Sequence, residues 1–177
     1  MSTLLTISLV LASIIALLLI IALFMKREHY VKREIIINAP RQKVFDFLKQ
    51  LKNQDQFNKW ATADKKNRKE EFKGTDGTVG FIYSWSGDKS AGKGEKEIKN
   101  IIEGKRIDTE IRFVRPMRVT ASVIFETESV SGDQTKVSLI NTGKLKYPLN
   151  IMIPMAEKNF PKDMDASLAT LKNILEK

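Results

Sequence analysis

From Leu4 to Met25 the chain carries no charged residue, and its only polar members there are Thr6, Ser8 and Ser13. A helix of that length rises about 1.5 Å per residue and spans roughly 33 Å. A bilayer's hydrocarbon core is about 30 Å thick, so one crossing with a modest tilt is expected. A cleaved signal peptide would want a basic start and small residues at its end. Here Met1-Ser2-Thr3 has no basic side chain, and the apolar run ends in Leu23-Phe24-Met25. A core helix would rarely be apolar on every face. The pattern therefore reads as a tip (1–3), a transmembrane helix (4–25), a juxtamembrane linker (26–30) and one domain (31–177).

Beyond the linker the rhythm changes. Val31 to Asn38 is rich in β-branched residues and predicts a strand. Asn38 then reads as a helix cap and Pro40 as a first-turn residue. Val44, Phe45, Phe47, Leu48 and Leu51 recur at helical spacing and predict a helix over 41–51, with a second short piece over 55–60. A meander of strands follows. Lys69 to Lys73 is short. Val79, Phe81, Tyr83 and Trp85 share one face of the next, before a turn at Ser86-Gly87-Asp88-Lys89. Lys93 to Ile102 is another, and Ile107, Thr109, Ile111 and Phe113 alternate with Asp108, Glu110 and Arg112. Val119, Ala121, Val123 and Phe125 mark a further strand, and Ser131-Gly132-Asp133 turns the chain into Thr135 to Thr142. Residues 152–175 close the chain as a long helix, with Phe160 or Met164, Leu168, Leu171 and Leu175 on one face.

The expected class is α+β: a curved antiparallel sheet whose apolar face is covered by the long C-terminal helix, preceded by one transmembrane helix. Such a sheet encloses space at the helix–sheet boundary. The inward positions there are Phe81, Tyr83, Trp85, Thr109, Ile111, Val123 and Asn141 from the strands. Met152, Met164 and Leu168 face them from the end of the chain, the methionines as adaptable lining or core filler. These ten are the candidate ligand-binding residues. Tyr83, Thr109, Asn141 and the Trp85 indole could orient a ligand by hydrogen bonds or merely satisfy backbone groups.

Charge adds direction. The chain has 30 Lys and Arg against 21 Asp and Glu, a net charge of +9. Lys26, Arg27, Lys32 and Arg33 follow the apolar run and no basic residue precedes it. The positive-inside rule then puts the domain in the cytoplasm, on a single-pass anchor in the cell membrane. The excess charge suits an anionic leaflet or an ordinary solvated surface. It lies in no nucleic-acid motif, so no nucleic-acid partner is expected.

The chemical inventory is thin. There is no cysteine, so neither a thiolate nucleophile nor a thiolate metal site exists. The single histidine, His29, falls in the linker and reads as an interfacial polar residue, outside the core. No glycine-rich phosphate loop is present, and no metal or cofactor is expected. Glu95 and Glu97 share one strand face and could pair as acid and base. Ile98 should point inward, however, which places both outside with Lys93 and Lys99 and turns Lys96 in. There Lys96 would snorkel to a pocket mouth, meet an acidic ligand group or sit exposed at a strand edge.

Several of these stretches match a known pattern. Ile35 to Leu48 (I-I-I-N-A-P-R-Q-K-V-F-D-F-L), F-N-K-W ending at Trp60, Gly80 to Gly87, Gly92 to Ile98 and the final helix resemble the SRPBCC superfamily. This superfamily is also called START-like or Bet v1-like, and the nearest likeness is to its polyketide cyclase/dehydrase group. The resemblance covers most of residues 31–177 and implies a helix-grip fold with a cavity for lipids, sterols, polyketides or other apolar molecules. It fixes no single activity. The expectation is a membrane-anchored binding module for an apolar or amphipathic, lipid-like small molecule. Alternatives are a cyclase- or dehydratase-like enzyme, with Tyr83 or Asn141 polarising a carbonyl, and a protein-interaction or co-chaperone-like module.

Overall fold

A computed structural model describes residues 2–62, 68–87 and 92–177. The apolar run forms α1 (Thr3–Phe24), and Ser2 accepts the Leu5 N–H at its start. Only Ala22 of this helix is buried against the rest of the chain, and the helix is otherwise exposed along its length. It is the one helix among the described residues long and apolar enough to cross a membrane.

Strand β1 (Glu28–Ile37) begins three residues before the expected Val31. Glu28, His29 and Tyr30 pair with Lys144, Gly143 and Thr142, and the Leu145 N–H donates to the Arg27 carbonyl at 2.8 Å. Residues 28–30, expected as linker, therefore belong to the sheet. Only Met25, Lys26 and Arg27 lie between helix and strand.

Pro40 is itself the N-cap of α2 (Arg41–Lys49), with no side-chain cap. Asn38, expected to cap it, instead ties the far end of the molecule together. Its N–H donates to Glu176 at 2.6 Å, and its side-chain oxygen accepts from Gln134 at 2.8 Å. Helix α2 stops at Lys49 because Gln50 is extended (ψ 112°). The one-turn helix α3 (Leu51–Gln54) restarts at once, with the Asp76 carboxylate accepting the Leu51 and Lys52 N–H groups at 2.8 and 3.2 Å. An acidic acceptor at a helix start satisfies donors that have no partner within the helix. The second short helix, expected over 55–60, is α4 (Lys59–Thr62).

The remaining strands are β2 (Lys69–Lys73), β3 (Ile82–Ser86), β4 (Lys93–Ile102), β5 (Arg106–Arg115), β6 (Val119–Ser131) and β7 (Gln134–Lys144). β3 starts later than Val79 because Thr75 to Gly80 form a turn, with Gly80 at φ 86° and the Thr78 hydroxyl on the Thr75 carbonyl. Asp88 and Lys89 of the turn expected after β3 lie outside the described residues. One seven-stranded sheet results, in the order β1-β7-β6-β5-β4-β3-β2, with every neighbouring pair antiparallel. A one-turn 3₁₀ helix (Leu149–Met152) leads into α5 (Ile153–Leu175), with Pro154 in the first turn.

Two apolar clusters fill the concave side. The larger joins Met164, Leu168, Leu171 and Leu175 of α5 and Val44, Phe45 and Leu48 of α2 to the inner faces of β1, β7, β6 and β5. The smaller joins Leu51, Phe81, Tyr83 and Ile98 on the β3–β4 wing. The convex face is laced with charge, as the alternation predicts. Arg112 bonds Glu95, Glu97 and Glu110, and Arg106 bonds Asp108 and Glu126. Glu95 and Glu97 are thus committed to one guanidinium on the outside of the sheet and do not form an inward acid–base pair.

Candidate functional site

The period-two pattern of β4 turns Lys96 inward, between Tyr83 of β3 and Ile111 of β5. It is only 6% exposed. Its ammonium bonds the Gln54 side-chain oxygen, and among the described residues that is its one hydrogen-bond partner. An ammonium has three donors, so two find no acceptor among the described residues. Burial pulls its pKa down to about 8, with the nearby Asp55 carboxylate pulling partly back. Gln54 is held in turn by donating to the Leu48 carbonyl at 3.0 Å.

Beside it, the Arg68 guanidinium donates to Glu70 at 2.7 Å, to Asp55 at 3.3 Å and to the Tyr83 hydroxyl. Tyr83 donates to Glu70 at 3.0 Å. Burial, reinforced by the Asp55 carboxylate, pushes the Tyr83 phenol far above its ordinary range. Phe72 stacks on Tyr83 at 5.3 Å, and Trp85 lies 6.0 Å beyond it. The wing thus combines an aromatic wall with buried Lys96, Arg68 and Asp55 and the half-buried Glu70.

The ten sequence-expected residues do not converge on one site. Phe81 and Tyr83 are buried in the wing cluster, with Trp85 half-buried against it. Val123, Met164 and Leu168 are buried in the larger cluster, with Ile111 packed on its edge. The Thr109 hydroxyl donates to the Val123 carbonyl at 2.7 Å, a backbone-satisfying role. Met152 lies in the 3₁₀ helix beside the end of α1, far along the chain's last helix from Met164.

Asn141 does not face open space. Its side-chain oxygen pairs with His29 Nε2 at 2.8 Å. His29, expected outside the core, is buried, packs edge-on against Phe160 at 5.5 Å and lies over Gly143. A Cβ at Gly143 would stand 2.5 Å from the ring, so only glycine leaves room for it. Sequence reasoning missed Gln54, Asp55 and Arg68 as well. The one available signal was Lys96 itself, whose inward parity demands partners.

Two solvent-open depressions are found among the described residues. One, about 440 Å³, is bordered by Lys26, Glu28, His29, Tyr30, Thr142 and Glu157. The other, about 300 Å³, lies on the outer face around Lys32, Glu34, Arg41, Glu126 and Lys136. None of the ten expected residues lines either.

No family model matches this chain, and no curated protein matches it. Solved structures do. The aromatase/cyclase Zhui from Streptomyces sp. R1128 is 13% identical, with a TM-score of 0.61 over 84% of this chain and 94% of that one. Ara h 8.0201 is 16% identical, with a TM-score of 0.60 over 84% and 97%. The Aha1 protein from Colwellia psychrerythraea, solved as a dimer, is 17% identical, with a TM-score of 0.53 over 84% and 96%. The chain has the helix-grip fold. At these identities the likeness is one of fold, and a helix-grip scaffold carries its function in the residues grafted on it. Here the residues that stand out against the apolar interior are Lys96, Arg68 and their carboxylates.

Proposed function

We propose that this protein is an SRPBCC-type binding module, anchored to the cell membrane by α1 with its domain on the cytoplasmic side. Its ligand is an apolar or amphipathic, lipid-like molecule taken up between the sheet and α5. The observation that carries the reading is Lys96. A buried ammonium with one partner among the described residues, set in an aromatic wing, supplies donors that an acidic or strongly accepting ligand head would use. The aromatic and aliphatic inner faces of β3 to β5 would take the tail. Tyr83 is held by Arg68 and Glu70, and Asn141 by His29, so neither is poised to polarise a carbonyl.

The test is native mass spectrometry of the detergent-extracted full chain, alone and against a panel of fatty acids, phospholipids and neutral lipids. A co-purifying or added acidic amphiphile should bind, and Lys96→Met should weaken it at least tenfold while leaving neutral lipids little changed. No bound lipid of any kind would overturn the reading. Equal binding by wild type and Lys96→Met would remove Lys96 from it.

A further inference from the structure

The end of α1 is not free. Asn150 is fully buried, and its amide donates to the Ala22 carbonyl at 2.7 Å and to the Met25 carbonyl at 3.1 Å. Lys26 pairs with Glu157 of α5 at 2.6 Å. Ala22 lies two residues before the last residue of α1, so its carbonyl is within about 3 Å of the helix end along the axis. A helix of 22 residues is roughly 33 Å long, against a hydrocarbon core of about 30 Å. The chain around Asn150 therefore stands level with the membrane boundary if α1 spans.

That stretch is apolar. From Tyr147 to Met155 it reads Y-P-L-N-I-M-I-P-M, and Asn150 is turned inward onto α1. Ile153 is fully buried, but Met155 is 55% and Tyr147 40% exposed, and Leu149, Ile151 and Met152 are partly exposed. Exposed basic residues flank it: Arg27 after the anchor, Lys146 before the stretch and Lys158 one turn into α5. An apolar surface with an interfacial tyrosine and a basic border is the composition that settles at a lipid headgroup boundary.

We infer that Tyr147–Met155 is a second membrane contact, lodged in the interface of the cytoplasmic leaflet beside the anchor. The domain is then docked on the bilayer at two points and does not swing on a tether. This rests on the reading of α1 as a membrane anchor.

The chain has no cysteine, so single cysteines can be placed in the full protein and spin-labelled. Ala12→Cys, Tyr147→Cys, Met155→Cys and Asp133→Cys are reconstituted separately in vesicles of phosphatidylcholine and phosphatidylglycerol. Collision rates with oxygen and with a water-soluble nickel chelate report each label's depth. Ala12→Cys should be deep. Tyr147→Cys and Met155→Cys should sit at headgroup depth, with several-fold less access to nickel than Asp133→Cys in the β6–β7 turn. If Ala12→Cys is deep while Tyr147→Cys and Met155→Cys match Asp133→Cys, the second contact is overturned and the anchor stands. If Ala12→Cys is open to nickel, the anchor reading fails and takes this inference with it.

Discussion

At the scale of single residues, Lys96 is the buried charge that bears most directly on stability. A buried ammonium with one neutral partner among the described residues costs the folded state unless something else accepts its remaining protons. Its pKa is about 8 in the fold and about 10.4 in an unfolded chain. Between those values the unfolded chain holds more protons, so stability rises with pH across that window and the penalty is complete below it. Tyr83 works the other way, because its phenol is raised above its ordinary value near 10. Stability contributed by Tyr83 is full below about pH 10 and declines above it. Thermal unfolding of the detergent-solubilised full chain, followed by Trp60 and Trp85 fluorescence, should therefore show a melting point that climbs between pH 7 and 10. Lys96→Met should flatten that climb and melt a few degrees higher at pH 7, since the linkage cost is at most about 3 kcal/mol and losing the Gln54 contact takes back about 1 kcal/mol. A variant that melts lower than wild type at pH 7 would mean the ammonium is well satisfied and the site is structural.

At the scale of elements, local pattern was legible and long-range closure was not. Helix α1, β2 and β4 fall where hydrophobic rhythm puts them, because length and period-two alternation are properties of neighbouring residues. The inward parity of Lys96 was readable for the same reason. Its partner Gln54 was not, since it arrives from a helix 42 residues away. His29 was misread because its neighbours in sequence are the basic residues after α1. Its neighbours in space are Gly143, Asn141 and Phe160. The junction between α1 and the 3₁₀ helix is the same kind of closure, spanning 128 residues through one amide. Terminal carbonyls of a helix need partners, and near a bilayer water supplies fewer of them. Asn150→Ala removes two such bonds and should loosen the joint by about 1–3 kcal/mol. Hydrogen exchange of the full chain in nanodiscs would read this as faster exchange at Met25 and residues 149–153, with β5 to β7 unchanged. Unchanged exchange at the joint would show that the burial of Ala22 and Ile153 and the Lys26–Glu157 pair hold it without the amide.

At the scale of the whole molecule, the register gathers charge at one end of the sheet. β1 enters at Glu28 opposite Lys144, and the other strands end at that side on Lys69, Ser86, Lys93, Arg115 and Val119. Arg118 and Lys146 follow in the adjoining segments, and both are exposed. The opposite end is mixed, with Lys73, Glu103, Lys105, Arg106 and Asp133. If α1 anchors the domain as proposed, this basic end faces an anionic leaflet, and each cation near such a surface contributes about 1 kcal/mol of attraction that salt screens. In nanodiscs of phosphatidylcholine alone, segments 113–119 and 144–148 should exchange amide hydrogens faster than in discs containing phosphatidylglycerol. High salt, which shortens the Debye length to about 3 Å near 1 M, should abolish the difference. The β6–β7 turn at the far end should not respond to lipid or salt. Equal protection in both lipids would mean that the anchor and Tyr147–Met155 orient the domain by apolar contact alone, and that the basic end serves solubility.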